Sequence, residues 1–223
     1  MTGYYEEKLS ALHLKQCYDI APPRVKQYLE SELIHVVEKI KSGDRVLELG
    51  CGYGRILPEL ARKTGFVVGI DNSLPSLELG KETLSPIANC GLMLMDAVRP
   101  AFQKGAFDVV VCIQNGISAF HVDQRVLLAE SMQIIEPGGI LLFSSYSQKF
   151  WKARLEWFRL QAATGLLGEI DEEKTGNGLI VCKDGFTAST IGPEKFQALT
   201  TGLNANARLV EVDESSLFCE ISC

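Results

Sequence analysis

The 223-residue chain is 46% hydrophobic and 22% charged, a balance that supports a packed core and excludes a disordered chain. A formal charge of -6, a pI near 5.2 and the lack of any Lys/Arg run disfavour a nucleic-acid surface, whose affinity rests on neutralising phosphates. Cysteines at 17, 51, 90, 112, 182, 219 and 223 are odd in number and without CxxC spacing, so neither a disulfide framework nor a metal site is expected; with no apolar stretch of signal-peptide or membrane-spanning length, the expectation is a soluble, unprocessed, cytoplasmic protein.

Helical periodicity runs from Glu6 to Tyr18, stops at Ala21-Pro22-Pro23 and resumes from Arg24 to Ile40, with Val25, Leu29, Leu33, Val36, Val37 and Ile40 on one face. Pro22 and Pro23 suit a turn and a first helical residue. Lys41 to Asp44 punctuates the chain, and Arg45 to Leu49 reads as a strand. Candidate strands follow at Phe66 to Ile70, Leu92 to Met95, Val109 to Ile113 and Ile140 to Ser144, with helical stretches at Ile56 to Lys63, Leu74 to Leu84 and Asp123 to Ile134 between them. That alternation predicts a parallel sheet wrapped by helices, and the nearly continuous apolar strands fit a sheet covered on both faces. Past Ser147 the pattern changes to a helix over Trp151 to Leu167, a polar stretch, a hairpin turning at Asp184-Gly185, a helix over Pro193 to Leu203, and strand-like Arg208 to Val212 and Leu217 to Ile221.

The strongest local signal is Val46-Leu47-Glu48-Leu49-Gly50-Cys51-Gly52-Tyr53-Gly54, a buried strand entering a turn with glycine at alternate positions. Glycine admits positive φ and lets a ligand approach the main chain. A dinucleotide fingerprint needs a further glycine where this chain has Arg55, and Glu48 would repel a pyrophosphate. A cationic ligand suits that acid better. The next strand ends in Asp71, 21 residues after Gly50, where an acid can accept hydrogen bonds from both hydroxyls of a ribose. The ligand is therefore expected to carry a nucleoside.

On these residues the chain resembles the class I S-adenosylmethionine-dependent methyltransferases, whose first motif is an acid followed by G-x-G-x-G. Met95-Asp96-Ala97, Phe107-Asp108-Val109-Val110-Val111 and Ile135-Glu136-Pro137-Gly138-Gly139 resemble the family's later segments in order and spacing, over roughly positions 44 to 145. The resemblance implies an α/β fold: a three-layer αβα sandwich with a seven-stranded, mostly parallel sheet in the order 3-2-1-4-5-7-6, and N-terminal helices over the cofactor site. Leu179 to Lys183, Arg208 to Val212 and Leu217 to Ile221 compete for the last two strands. It implies one domain over 1–223: a helical lid (1–40), a cofactor-binding core (44–145), and a substrate-side insert with the final strands (146–223). It further implies that Gly50, Gly52 and Gly54 meet the methionine part of S-adenosylmethionine, that Asp71 holds the ribose, that Asp96 and Ala97 read the adenine, and that Cys51 and Asn72 also belong to the cofactor site; Glu48 either meets the cofactor or stabilises the loop by a hydrogen bond. S-adenosylhomocysteine is then the product.

Asp108 reads as structural. Gln114-Asn115 follows the fourth strand, where open parallel sheets bind ligands; it either caps the next turn or lines the methyl-transfer pocket, with Gln114 near the cofactor. The N-P-P-aromatic pattern of methylases acting on amide or base nitrogens is missing here. Tyr18, Asp19, Pro22 and Arg24 form either a lid, with Arg24 holding a carboxylate, or a solvated helix end. His121 is the candidate general base, ahead of His13 and His35. Trp151, Trp157 and Phe158 read as packing, although an aromatic insert would also suit an apolar substrate wall. The expected activity is in-line methyl transfer to an O, N or S atom of a small-molecule acceptor. The alternatives are a non-catalytic cofactor-binding module and an enzyme acting on protein or RNA.

Overall fold

A computed structural model describes residues 11–223 of the chain. The main sheet is built from β1 (Arg45–Leu49), β2 (Phe66–Asp71), β3 (Cys90–Leu94), β4 (Phe107–Cys112), β5 (Ile135–Tyr146), β8 (Asn206–Val212) and β9 (Ser216–Ser222), in the order β3-β2-β1-β4-β5-β9-β8. Numbering these strands alone gives the expected 3-2-1-4-5-7-6. The first five run parallel, and β9 enters antiparallel between β5 and β8. Leu179 to Lys183 does not join this sheet: β6 (Ile180–Val181) pairs only with β7 (Thr187–Ala188), around a turn in which Gly185 takes φ +97°.

Side chains alternate across each strand, so the sheet carries a core on either face. Leu47, Leu49, Val68, Ile70, Val110, Leu141 and Phe143 pack towards α6 (Gln124–Ile134) and α8 (Pro193–Thr200). Val46, Val67, Val109, Val111 and Leu142 pack the other way, towards α2 (Pro23–Lys39), α3 (Leu57–Lys63) and α4 (Leu74–Leu84). The result is the three-layer sandwich. Proline stands in the first turn of α2, α3, α4 and α8, where its missing N–H has no helical partner to lose. Asp123 caps α6 by accepting from the Arg125 amide at 2.8 Å.

A third core lies at the end of β5. Cys17 of α1 (Ala11–Asp19), Val25, Tyr28 and Leu29 of α2, Trp157 and Phe158 of α7 (Trp151–Ala163), and Cys182, Phe186 and Ala188 of the hairpin close around Tyr146 and Phe150. The helix expected from Glu6 is described from Ala11 onward, and its first residues lie outside the described part. The Pro137-Gly138-Gly139 turn expected ahead of the fifth strand lies inside β5, where the pairing register with β4 shifts between Phe107 and Val109. The Gly138 amide there donates to the Cys223 carbonyl at 2.7 Å. Asp108 is structural as expected: it accepts from the Arg45 amide and guanidinium at 2.8 and 2.9 Å, and that guanidinium holds its carboxyl below the usual range.

Candidate functional site

A cleft of about 800 Å³ opens over the carboxyl ends of β1 to β4, where parallel α/β sheets take their ligands and within the size range of small-molecule sites. Its floor is the main chain following each strand: Gly50 to Tyr53, Asp71 to Ser73, Met95 to Val98, and Ile113, Gln114 and Gly116. The glycine loop folds back onto β2, with the Gly50 and Cys51 amides both donating to the Ile70 carbonyl at 2.8 and 3.0 Å. Gly50 holds φ +70°, and a Cβ there would stand 2.4 Å from the Phe120 ring. Asp71 locks the turn: the Gly52 amide donates to its Oδ2 at 2.7 Å and the Ser73 amide to its Oδ1 at 2.8 Å.

Glu48 points from β1 into the cleft with 7% of its surface exposed, and its Oε2 has no hydrogen-bond partner. Burial pushes its carboxyl up to about 8; the Arg55 charge opposes that shift and Asp71 adds to it. Arg55 lines the same cleft, its guanidinium lying 4.8 Å from the centroid of the Tyr18 ring and its buried Nη2 also unpartnered. Two buried polar atoms of opposite charge type thus face one cavity without partners. Buried polar atoms are normally satisfied, so this pair marks a place that a ligand completes.

Gln114 and Asn115 are both left-handed, at φ +56° and +64°, a costly conformation for residues other than glycine. Neighbours hold them there. The Gln114 amide donates to Oε2 of the fully buried Glu32 at 3.0 Å, the Tyr18 hydroxyl donates to Gln114 Oε1 at 2.8 Å, and Ser145 donates to Asn115 Oδ1 at 2.7 Å. Glu32 also accepts from the Ser216 hydroxyl, and burial raises its carboxyl above the usual range despite these donors.

The far end of the cleft is aromatic. Trp157 sits 6.0 Å from Tyr18 and 5.9 Å from Phe158, and Phe158 stacks on Phe186 at 6.0 Å, all centroid to centroid. The Trp157 indole N–H is taken by the Cys17 carbonyl at 2.9 Å. Burial raises the Tyr18 and Tyr146 hydroxyls and pushes the Cys17 thiol up to about 12. These groups are therefore neutral at physiological pH.

Of the residues singled out in the sequence, Tyr18, Glu48, Gly50, Cys51, Gly52, Asp71, Asn72, Asp96, Ala97, Gln114 and His121 line this one cleft. Two are corrected. Arg24 does not line it: its guanidinium donates to the Asp213 carboxylate and carbonyl, both at 2.6 Å, and lies 5.1 Å from the Phe150 centroid, because α2 turns that face towards the β8–β9 turn. Gly54 lies behind the loop, where a Cβ would press on Leu84 and Leu57; it serves the packing of the turn. His121 lines the cleft between Phe120 and Val122, which pack against a different core from the aromatic wall. Sequence reasoning missed three residues. Arg55 registered there only as an absent glycine, and Glu32 and Gln161 not at all. Among the described residues, no group of three or more His, Cys, Asp or Glu could hold a metal, and no helix is long and apolar enough to cross a membrane.

Residues 46–139 match the family model described as a methyltransferase domain. The chain is similar to the 2-methyl-6-phytyl-1,4-hydroquinone methyltransferase of Synechocystis sp., at 29% identity over 137 residues, or 57% of this chain and 42% of that protein. It is also similar to the aklanonic acid methyltransferase of Streptomyces sp., at 35% over 118 residues, or 51% and 52%. The chain thus spans about half the length of these curated relatives. A solved S-adenosylmethionine-dependent methyltransferase from Aquifex aeolicus shares the fold, with a TM-score of 0.64 over 93% of this chain and 97% of that one at 14% identity.

Proposed function

We propose that this chain, which carries a class I S-adenosylmethionine-dependent methyltransferase domain, moves the methyl group of S-adenosylmethionine to a small-molecule acceptor. The observation that carries the reading is the unpartnered pair of Glu48 Oε2 and Arg55 Nη2. An α-amino acid presents an ammonium and a carboxylate together, and this pair complements both. The Asp71 carboxylate, fixed by two backbone amides beside Asn72, suits a ribose diol, and Asp96 with Ala97 suits the adenine edge. The left-handed Gln114 sets a side-chain amide over the tip of β4, between these two parts of the ligand.

Bound here, the sulfonium supplies an electrophilic methyl group without further activation, so the chain has to hold it, align an acceptor and exclude water. Tyr18 and Trp157, brought in from α1 and α7, cover the cleft for that purpose. In this reading 1–40, 44–145 and 146–223 work as one domain, as lid, cofactor core and acceptor side. The free cysteines and acidic surface suit a reducing cytoplasm.

Calorimetric titration with S-adenosylmethionine, S-adenosylhomocysteine, adenosine and NAD tests it. The expected outcome is binding of the first two without NAD. Arg55→Met is expected to weaken S-adenosylhomocysteine at least about tenfold, the worth of one charged hydrogen bond, while leaving adenosine unchanged. Equal losses for both ligands would remove the amino-acid assignment. Binding of NAD alone, or of nothing, would remove the whole reading.

A further inference from the structure

Gln161 lies on α7 one helical turn after Trp157, so the two side chains share a face, and both line the cleft. Only 3% of its surface is exposed. Its backbone carbonyl accepts from the Leu166 and Leu167 amides at 2.9 and 3.3 Å, which fixes its position at the helix end. Its side-chain amide makes no hydrogen bond among the described residues, and its polar atoms are not among those wholly cut off from solvent. A nearly buried amide with two donors and an acceptor to offer therefore opens into the aromatic end with nothing to bond.

Its surroundings limit what can complete it. From α7 and the hairpin the cleft receives Trp157, Phe158, Gln161, Gly185, Phe186 and Thr187, none of them charged. The indole N–H of Trp157 is already used by Cys17, so that ring offers apolar surface only. The buried Arg154 guanidinium lies 5.4 Å from the Phe158 centroid but does not line the cleft and donates to the Gly178 and Ala188 carbonyls; an ion placed here would lose its hydration without a direct counter-charge, whereas a flat ring system meets aromatic surface.

We propose that the end of the cleft walled by Trp157, Phe158 and Phe186 binds a flat, uncharged, largely apolar acceptor bearing a hydroxyl or carbonyl group, and that Gln161 is the residue that recognises that oxygen. The assignment rests on the methyl-transfer reading and narrows it to a substrate class. Gln161 acts by binding and has no part in the bond-making step. A site built to hydrogen-bond an oxygen discriminates strongly against the analogue that lacks it, because its own polar group is then left unpaired.

The test titrates the full chain, saturated with S-adenosylhomocysteine, with 2-naphthol, naphthalene, 2-naphthoate and 2-naphthylmethylammonium. The expected result is binding of 2-naphthol at least about tenfold tighter than each of the others. Gln161→Leu should reduce the preference for 2-naphthol over naphthalene to within about twofold and leave S-adenosylhomocysteine affinity unchanged; Gln161→Met, closer in shape, repeats the measurement if the leucine variant is unstable. An unchanged preference in these variants, tighter binding of a charged analogue, or no binding of any of the four overturns the proposal. Failure of the wild-type chain to take S-adenosylhomocysteine, read in the same experiment, overturns the methyl-donor reading instead.

Discussion

At the β1–β3 end of the cleft the lining is main chain at strand tips, held by Asp71 and by glycines at positive φ; at the other end it is side chains from α1, α7 and a short hairpin, packed into a core of their own. The first end is dictated by the sheet, since any chain that crosses from β1 to β2 in this register has to turn where Gly50 to Gly52 turn. The second depends on which helices happen to meet above it. One scaffold can therefore keep its donor site while the acceptor site changes with the covering elements. The comparison is useful only if the two ends can be damaged separately.

The largest separate effect is expected from Asp71→Ala. It removes the acceptor of any ribose diol and also releases the Gly52 and Ser73 amides, so S-adenosylhomocysteine affinity should fall at least about a hundredfold, the worth of two charge-assisted hydrogen bonds. Binding of 2-naphthol to the unliganded variant should match the unliganded wild type. Calorimetry on both ligands decides it, and a loss at both ends would mean that the ends are one cooperative unit.

Next comes the pH dependence of donor binding. Glu48 sits at about 8 in the empty cleft and is mostly protonated at neutrality; an arriving ammonium favours the ionised form, so binding releases up to one proton. Affinity for S-adenosylhomocysteine should accordingly rise by up to about tenfold per unit between about pH 6 and about pH 7.5, and Glu48→Gln should flatten that slope. The linked stability has the opposite sense. A carboxyl raised on folding stabilises the chain fully below its ordinary pKa and loses that contribution as pH rises towards about 8. The unliganded Glu48→Gln variant should thus melt higher than wild type at pH 8 and not at pH 4. Parallel melting curves at both values would mean that Glu48 is solvated and not the ammonium's partner.

These two residues also mark what sequence could reach. The place of Asp71 in the cleft was legible because it follows from a fixed position at a strand end, and the places of Glu48, Gly50, Gly52 and Asp96 were legible on the same ground. The sheet order followed from the same motifs. Gly54 fitted the pattern while serving packing. Arg24 was misplaced because a helix face read alone does not say what it meets, and its partner, Asp213, stands 189 residues away. Glu32 was invisible for the same reason, its contact with the Gln114 amide spanning 82 residues. Trp157 and Phe158, read as packing, do pack, and they also line the cleft; periodicity cannot separate the two uses.

Trp157→Ala sharpens the comparison from the other side. It removes the ring of the wall next to Tyr18 and frees the Cys17 carbonyl, so 2-naphthol should bind about tenfold more weakly, in line with the loss of one aromatic contact surface. S-adenosylhomocysteine affinity should stay within about threefold, since neighbouring Tyr18 keeps its bond to Gln114. Fluorescence titration of the two ligands separates these outcomes, and a larger loss for S-adenosylhomocysteine would place the wall on the donor.

The smallest effect is expected at His121. It was the sequence's candidate base because it follows the β4 loop, and it lines the cleft beside Phe120, whose ring lies where a Cβ on Gly50 would stand. The aromatic wall belongs to a different core, and its Tyr18 and Tyr146 hydroxyls are neutral. Transfer from a sulfonium draws its rate from alignment, so an acceptor bound at that wall is expected to need no imidazole base. His121→Ala should therefore leave kcat, followed as S-adenosylhomocysteine formed with an accepted acceptor, within about threefold, against the hundredfold or more typical of a removed general base. Alanine keeps the strained φ of +53° at this position no better than histidine does, so a shared melting temperature is the needed control. A hundredfold fall in kcat at unchanged melting temperature would make His121 a base for the reaction, and the reading that alignment alone suffices would fail.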